Sequence, residues 1–180
     1  MTPTHTSIRL IDVTDAPAIA SHLARDARES SRWIPARPDE FYTTPGQVSR
    51  IEELLDIHRK GGGWPGVIVV DDFVIGQLTV SGILRGPFQK GFLGYWVAST
   101  LRNQGHASRA VKLALRMMTE ELGLYRVEAH TRKENLASQK VLRTNGFTSW
   151  GIAHAHIYIE GAWHDEVFWE RTLASGPPPQ

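Results

Sequence analysis

The feature that most constrains the fold is a strand that leads through a short turn into a long amphipathic helix, between residues 95 and 123. The segment reads YWVASTLRNQGHASRAVKLALRMMTEELG. The first amides of a helix have no partner within it, and the helix dipole makes that end positive. Gly105 and Ala107 allow close backbone approach, Arg102 adds charge and Ser108 adds a hydroxyl. The turn alone is compatible with a phosphate site and equally with a plain strand-to-helix connection.

The N-terminal half is predicted to begin with a strand and two helices. SIRLIDVT alternates apolar and polar residues as a half-buried strand does. Asp15 is predicted to cap a helix that runs to about Arg28, with Pro17 in its first turn. A capping box at Thr44–Gln47 is predicted to start a second helix, which ends at glycines 61–63. GVIVVDDFVIGQLTVSGIL then predicts a hairpin that turns at Asp71–Asp72.

The remaining segments complete an order that is not a strict alternation of strand and helix. Residues 92–97 and YRVEAHT predict strands, NLASQKVLRTNGF a short helix, and SWGIAHAHIYI and WHDEVFWERTL two strands joined at Glu160–Gly161. The order β-α-α-β-β-β-α-β-α-β-β predicts a mixed α/β or α+β fold with an antiparallel middle. No GxGxxG follows the first strand, which argues against dinucleotide binding.

Length and composition set limits on the class of protein. The 180 residues predict one domain over 1–173, and the sequence ASGPPPQ predicts a disordered tail over 174–180. There is no cysteine, which excludes disulfides and an acyl-thioenzyme intermediate. A net charge of +1 argues against a nucleic-acid partner. The polar N-terminus and the lack of a long apolar span predict no membrane association and a cytoplasmic protein.

Three motifs carry a resemblance to a known family. Arg102-x-x-Gly105-x-Ala107 resembles the R/Q-x-x-G-x-G/A signature of the GCN5-related N-acetyltransferases (GNAT). GYWVAS resembles their fourth strand, which splays from the fifth. ENLASQKVLRTNGF resembles a segment of the subgroup named after RimJ and RimL, which are ribosomal-protein N-acetyltransferases. The resemblance covers roughly residues 7 to 173, with the motifs in the family's order.

The resemblance implies both a fold and a co-substrate. The expected fold is α/β (α+β), a mixed, mostly antiparallel sheet of six to seven strands with a splayed central pair, flanked by about four helices. Acetyl-CoA is the expected co-substrate, with its pyrophosphate on the amides of about 104–108 and its pantetheine arm along the fourth strand. The residues expected to bind it are Trp96, Val97, Ala98, Arg102, Asn103, Gln104, Gly105, His106, Ala107, Ser108, Asn135 and Ser138.

The resemblance also implies catalytic roles. Ser138 is the expected acid that protonates the leaving thiolate, although Tyr158 or Tyr125 could be the donor. Asn135 is expected to bond the pantetheine arm, but Asn is also a leading helix N-cap residue. The Val97 amide is the expected donor to the thioester oxygen, while the side chains of GYWV could equally be core.

The base that deprotonates the amine is left open. Glu128 and His130 lie two apart on one predicted strand and therefore share a face. His154 and His156 are predicted to share a face of the sixth strand, where some relatives carry a carboxylate. The two could chelate, but no third ligand follows at a telling spacing, so no metal is predicted. Aromatic residues near the N-terminal helices could form one wall of the acceptor groove or belong to the core: Trp33, Phe41, Tyr42 and Trp64.

The sequence therefore predicts an acetyl-CoA-dependent N-acetyltransferase. The expected acceptor is a primary amine, an N-terminal α-amine of a protein or peptide, acetylated directly in a ternary complex. Two alternatives remain: acetylation of a small molecule such as an aminoglycoside or an amine metabolite, and a non-catalytic acyl-CoA sensor. A nucleotide-binding module is a third class. The resemblance also leaves a homodimer open.

Overall fold

The computed structural model describes residues 5–173, which form one seven-stranded sheet with helices on both faces. The strand order is β1-β2-β3-β4-β5-β7-β6. The strands are β1 Thr6–Leu10, β2 Trp64–Val70, β3 Phe73–Leu84, β4 Lys90–Val97, β5 Arg126–Arg132, β6 Thr148–Ile159 and β7 Ala162–Thr172. The helices are α1 Ala16–Ser30, α2 Thr44–Arg59, α3 His106–Glu120 and α4 Leu136–Thr144. The predicted element order and fold class are confirmed.

The sheet divides between its two central strands. All neighbouring strands pair antiparallel except β4 and β5, which are parallel and pair only at Lys90–Phe92 with Arg126–Glu128. Beyond this short ladder β4 continues along β3 to Val97, and β5 continues along β7 to Arg132. The two strands therefore separate and leave a gap between their C-terminal halves, as predicted.

Side chains that alternate along the strands pack into two separate cores, one on each face of the sheet. Ile68 of β2 packs with Val111 of α3 and Leu142 of α4. Val67, one residue away on the other side of the strand, packs with Ile19 of α1 and Ile51 of α2. The sheet thus has an α3/α4 face and an α1/α2 face, and a residue's parity along a strand decides which face it occupies.

Two helix starts differ from prediction. Asp15 precedes α1 but makes no side-chain cap bond, because its carboxylate accepts from the Arg9 guanidinium at 2.7 and 2.8 Å and from the Asp12 amide. The cap of α2 is Thr43, one residue earlier than predicted, and its hydroxyl accepts from the Gly46 amide at 3.1 Å. At α1 the competing donors are three and six residues away, and at α2 the cap is the neighbouring threonine, which spacing alone does not resolve.

The turns follow the prediction more closely. Asp71 and Asp72 have φ of 46° and 69°, the left-handed pair that a tight hairpin between β2 and β3 requires. No helix in the described part of the chain is long and apolar enough to cross a membrane. The tail predicted to be disordered, 174–180, lies outside the described residues.

Candidate functional site

The backbone of β4 presents free amides to the gap. The Ala98 amide donates to the Ile75 carbonyl at 2.8 Å, so Ala98 and, by alternation, Trp96 direct their amides toward β3. Tyr95 and Val97 have the opposite parity, so their amides face the gap, where β4 has no pairing with β5. The Trp96 side chain lies on the α1/α2 face and donates to Gln77 Oε1 at 3.1 Å. An extended ligand in the gap would meet Tyr95 and Val97.

The turn at 102–108, at the end of this gap, has the backbone of an anion cradle. Asn103 and Gly105 have φ of 61° and 80°, and helix α3 begins at the next residue. The first helical bond runs from the Arg109 amide to the Gly105 carbonyl at 3.0 Å. Within residues 5–173, no amide of 104–108 donates to a protein acceptor. Several amides are therefore available together at a positive helix end.

The cation beside the turn is Arg109, which the sequence analysis missed. Its Nη2 donates to the Gln104 carbonyl at 2.8 Å, and its Nη1 lies 2.8 Å from where a Cβ on Gly105 would be. Arg102 instead braces the turn, because its Nε donates to the Val97 carbonyl at 3.1 Å and its guanidinium pairs with Glu29 of α1. Because Arg109 lies in helix α3, after the motif at 102–107, no sequence pattern marks it as part of the turn.

The side chains of three other residues predicted to bind the co-substrate are engaged within the protein. The His106 ring is buried, and its Nδ1 lies 3.0 Å from Thr6 Oγ1. Burial and the nearby Arg109 charge lower the pKa of His106. The Ser108 hydroxyl accepts from Asn145 Nδ2 at 3.1 Å, which ties α3 to α4. Ala107 packs against the α3/α4 core.

Asp26 of α1 anchors the start of the turn. Its carboxylate accepts from the Ser99 amide at 2.7 Å and from the Ser99 hydroxyl at 2.6 Å, although the residue is buried. Burial opposes ionisation, but the Ser99 bonds and Arg25 outweigh it and lower the pKa of Asp26. The sequence analysis missed this anchor because 73 residues separate the partners.

We expect Asp26→Asn to lower the free energy of unfolding by about 1–3 kcal/mol, because an amide cannot replace both carboxylate bonds at a buried position. Urea unfolding would measure this loss of stability.

The loss should also depend on pH. Since the folded pKa of Asp26 lies below its unfolded value, the contribution of Asp26 to stability is present at neutral pH and is lost as pH falls through the folded pKa. The difference between wild type and variant should therefore shrink in acid. Arg25→Gln, which leaves both Ser99 bonds, should cost less, and equal losses would contradict the account.

Across the gap from β4, the N-terminus of α4 carries the predicted acid. The Ser138 hydroxyl lies 2.9 Å from the Tyr95 hydroxyl, which also donates to the Ser138 carbonyl at 3.2 Å. Asn135 Oδ1 accepts from the Ser138 amide at 3.1 Å and so caps α4. Asn135 Nδ2 has no protein partner among the described residues, which leaves it available for the predicted pantetheine contact.

Tyr95 joins the two sides of the gap at this point. Burial raises its pKa to about 12, an effect that the bond to Ser138 reduces only in part. Tyr95 therefore keeps its proton at neutral pH. From the sequence this side chain could equally belong to the core, and only its parity with Val97 indicates the face that it shares with α4. Tyr125 precedes the paired part of β5, and the half-exposed Tyr158 lies on the edge strand β6, so neither reaches this point.

The two predicted base candidates, Glu128 and His130, share the α1/α2 face but differ in surroundings. Glu128 is buried and accepts from Lys90 Nζ at 3.0 Å and from Arg126 Nε at 2.8 Å. Burial would raise its pKa, but these two cations lower it overall, which makes Glu128 a weak proton acceptor. His130 has no such cation on its ring and is 37% exposed in its side chain.

The His130 ring belongs to a cluster on this face that the sequence did not reveal. His130 Nδ1 and His156 Nδ1 lie 3.5 and 2.8 Å from the same oxygen, Oε2 of Glu166. The His130 ring stacks on Phe168 at 4.9 Å and meets the edge of Phe92, the last paired residue of β4. The cluster therefore lies where the gap begins.

The prediction that His154 and His156 share a face is wrong. A bulge between Ala153 and Ile157, with Ala155 at φ 49°, breaks the alternation of β6. His154 bonds Asp165 at 3.0 Å and His156 bonds Glu166, and these two carboxylates are adjacent on β7 and point to opposite faces. Among residues 5–173, no three His, Asp or Glu side chains are arranged to hold a metal ion.

A cavity of about 330 Å³ lies beyond His130 on the same face, between the segment after α1 and the β6–β7 turn. Two hydrogen bonds join the segment after α1 to the far strands here: Arg132 donates to the Arg32 carbonyl, and the Ser31 hydroxyl donates to Glu160. Of the four aromatics considered for a groove wall, only Trp33 lines it, because the others pack into the cores. The lining residues are Arg32, Trp33, Arg132, Glu134, Glu160, Ala162 and His164.

Comparison with known proteins identifies a family and several proteins that this chain resembles. The sequence profile of the Acetyltransferase (GNAT) domain matches residues 6–148. The chain is 32% identical over 160 residues to the Probable N-acetyltransferase YjcK of Bacillus subtilis, covering 88% of each chain. The structure matches the ribosomal-protein-S5-alanine acetyltransferase of Vibrio fischeri with TM-score 0.89 and 32% identity, over 94% and 93% of the chains. It matches Mycobacterium smegmatis RimJ in complex with CoA-disulfide with TM-score 0.90 and 28% identity, over 93% and 81%.

Proposed function

Since this chain belongs to the GNAT family of acetyltransferases, in its RimJ/RimL-like subgroup, we propose that it transfers acetyl from acetyl-CoA to the N-terminal α-amine of a protein or peptide. The observation that carries the proposal is the gap between β4 and β5. It has unpartnered amides along one wall and in the turn at its end, and the Ser138–Tyr95 hydroxyl pair across it. The acceptor class is supported by the similar Vibrio fischeri protein, whose name gives a protein alanine as its acceptor.

The residues present fit acetyl-CoA as co-substrate. The amides of 104–108 are free to bind a pyrophosphate, and Arg109 beside them supplies positive charge. The parity of β4 offers the Tyr95 and Val97 amides to a pantetheine arm or to the thioester oxygen. Asn135 Nδ2 is available on the opposite wall.

Transfer is proposed to occur directly from thioester to amine. The amine lone pair attacks the thioester carbon while the Val97 amide, with that of Tyr95 beside it, bonds the carbonyl oxygen as negative charge develops. The carbon–nitrogen bond forms, the carbon–sulfur bond breaks, and the thiolate takes a proton from the Ser138 hydroxyl, which regains one as the new amide nitrogen releases a proton through solvent. The Tyr95 hydroxyl has one proton, and when it donates to Ser138 Oγ instead of to the Ser138 carbonyl, the serine proton is free to point toward the sulfur. The chain has no cysteine to carry the acetyl group between the two substrates.

A panel of acceptors tests the proposal. The protein is mixed with acetyl-CoA and each amine, and free thiol is followed with a colorimetric reagent, to which the cysteine-free chain contributes no background. We expect release with peptides that have free N-termini and none with the same peptides blocked at the N-terminus but containing lysine. Release with aminoglycosides or polyamines alone would instead establish a small-molecule enzyme. Acetyl-CoA binding without release for any acceptor would favour the sensor.

A further inference from the structure

We propose that His130 is the base that deprotonates the acceptor amine, and that Glu166 and His156 position it and stabilise its charged form. The inference rests on the proposed function and adds its missing proton acceptor. It uses a three-residue cluster, one residue each from β5, β7 and β6, that no sequence motif marks. His130 would contact the amine directly or through one water, whereas Glu166 and His156 would act through it.

The geometry distinguishes the two nitrogens of each imidazole ring. Nδ1 of both imidazoles faces the same carboxylate oxygen, at 3.5 Å for His130 and 2.8 Å for His156. A neutral imidazole that donates from Nδ1 carries its lone pair on Nε2. Glu166 is only 6% exposed, and it remains ionised because the two histidines outweigh the effect of burial and lower its pKa. The His130 contact, at 3.5 Å, is longer than a hydrogen bond, so the carboxylate orients Nδ1 of His130 and, in this proposal, favours the tautomer in which Nε2 is free.

The surroundings hold the His130 ring at the opening of the gap. The ring stacks on Phe168 at 4.9 Å and packs against the edges of Phe92 and His156 at 5.6 and 5.9 Å. Phe92 is the last β4 residue paired with β5, so the ring lies where the two strands begin to separate. It lies on the α1/α2 face, opposite Ser138, which reaches the gap from the α3/α4 face. Base and acid would therefore act from the two sides of the sheet.

Other charged groups near His130 are already paired. On β5 itself, Glu128 is held by Lys90 and Arg126, and Arg132 bonds His164 and pairs with Glu134. On β7, Glu170 pairs with Arg126. From the segment after α1, Arg32 pairs with Glu29. This leaves Glu166 as the charged group that faces both imidazoles.

The proton transfer has a direct consequence for acceptor choice. One N–H bond of the ammonium breaks, its electrons stay on nitrogen as the attacking lone pair, and the proton moves to Nε2 of His130 and then to solvent. The second proton leaves the nitrogen after the carbon–nitrogen bond has formed, and through solvent it replaces the proton that Ser138 gives to the sulfur. An α-ammonium near pKa ~8 gives its proton to an imidazole more readily than an ε-ammonium near ~10.4. The cluster therefore favours N-terminal α-amines over lysine.

The pH dependence of kcat/KM for a free-N-terminus peptide tests the inference. We expect His130→Ala to lower kcat/KM roughly 10²-fold, the usual contribution of a general base. Glu166→Gln removes the charge that faces the imidazole, so its pH profile should differ from that of the wild type on the acid side, with kcat/KM reduced roughly 10-fold at pH 7. Asp165→Asn is the matched control, because this adjacent carboxylate bonds His154 on the opposite face. Its profile should match wild type.

Two further readouts keep the test independent of folding. Acetyl-CoA affinity and thermal stability should be close to wild type in Glu166→Gln, and ¹⁵N spectra of the histidine rings should show the Nδ1–H tautomer in wild type and its partial loss in the variant. A profile unchanged by Glu166→Gln, in a wild-type enzyme that acetylates peptides, would overturn this inference alone. If the wild-type enzyme acetylates no peptide, the proposed function fails and the inference falls with it.

Discussion

Ser138→Ala is expected to lower kcat by roughly 10²-fold or more, the loss typical of a missing general acid. The hydroxyl is the polar group that α4 presents at the gap, 2.9 Å from the Tyr95 hydroxyl. The Asn135 cap bonds the Ser138 backbone amide, so the helix start should survive the substitution. Acetyl-CoA affinity should change little. Steady-state kinetics with a saturating peptide, together with calorimetric titration of acetyl-CoA, would measure both quantities.

Tyr95→Phe is the control for this substitution. It removes the hydroxyl that bonds Ser138 but keeps the ring, so a loss of only a few-fold is expected if Tyr95 positions the serine. Burial keeps the Tyr95 proton in place, since its pKa is raised to about 12, so no basic limb from Tyr95 should appear near neutral pH. An unchanged kcat in Ser138→Ala, with a large loss in Tyr95→Phe, would transfer the acid role to tyrosine.

The second large effect is expected from Gly105→Val, which should weaken acetyl-CoA binding by roughly 10- to 100-fold through loss of charge-assisted bonds to the turn amides. Gly105 has φ of 80°, a conformation that a β-branched residue adopts only under strain. An added Cβ would also lie 2.8 Å from Arg109 Nη1, so the guanidinium beside the turn would have to move. Calorimetric titration with acetyl-CoA, and with CoA as a comparison, would measure the change.

Gly123→Val separates backbone strain from damage to the turn. Gly123 also has positive φ, 61°, but it follows the C-terminal end of α3, and a Cβ there would meet nothing within 4 Å. We expect a similar loss of stability in the two variants and loss of affinity only in Gly105→Val. Equal affinity in Gly105→Val and wild type would show that the pyrophosphate does not bind at this turn.

Local patterns predicted the elements of the fold because those patterns are recorded in neighbouring residues. The helical spacing after Gly105, the alternation of β2 and the turn at Asp71–Asp72 each concern residues a few positions apart. The helix caps were predicted less accurately. Asp15 pairs with Arg9 instead of capping α1, and the cap of α2 is Thr43 where Thr44 was predicted. The choice between adjacent caps depends on partners that spacing does not reveal.

The candidate site was predictable only where a motif exists. The turn and the Asn135/Ser138 pair could be located from their resemblance to family motifs, whereas the roles of Tyr95, Asp26 and Glu166 depend on contacts across the sheet. Glu166 lies in a strand whose sequence, WHDEVFWERT, gives no sign that it meets His130 of β5 and His156 of β6. The bulge at Ala155, which parts His154 from His156, breaks a regular alternation that the sequence suggests.

Several expectations from the sequence stay predictions. They include a cytoplasmic location, a homodimer, the absence of a resident metal and of a nucleic-acid or membrane partner, and the individual roles of the site residues. The solution mass of the protein and its metal content after purification would address the second and third. The roles of the residues depend on the variants described above.

The most direct test of the central claim is to locate the acetyl group on a product. A peptide with one free α-amine and one lysine is incubated with acetyl-CoA and the protein, and tandem mass spectrometry assigns the modified nitrogen. The account predicts a single acetyl group on the N-terminal residue, formed by the wild-type protein and much more slowly by Ser138→Ala. Acetylation of the lysine instead, or an unmodified peptide in the presence of demonstrated acetyl-CoA binding, would contradict it.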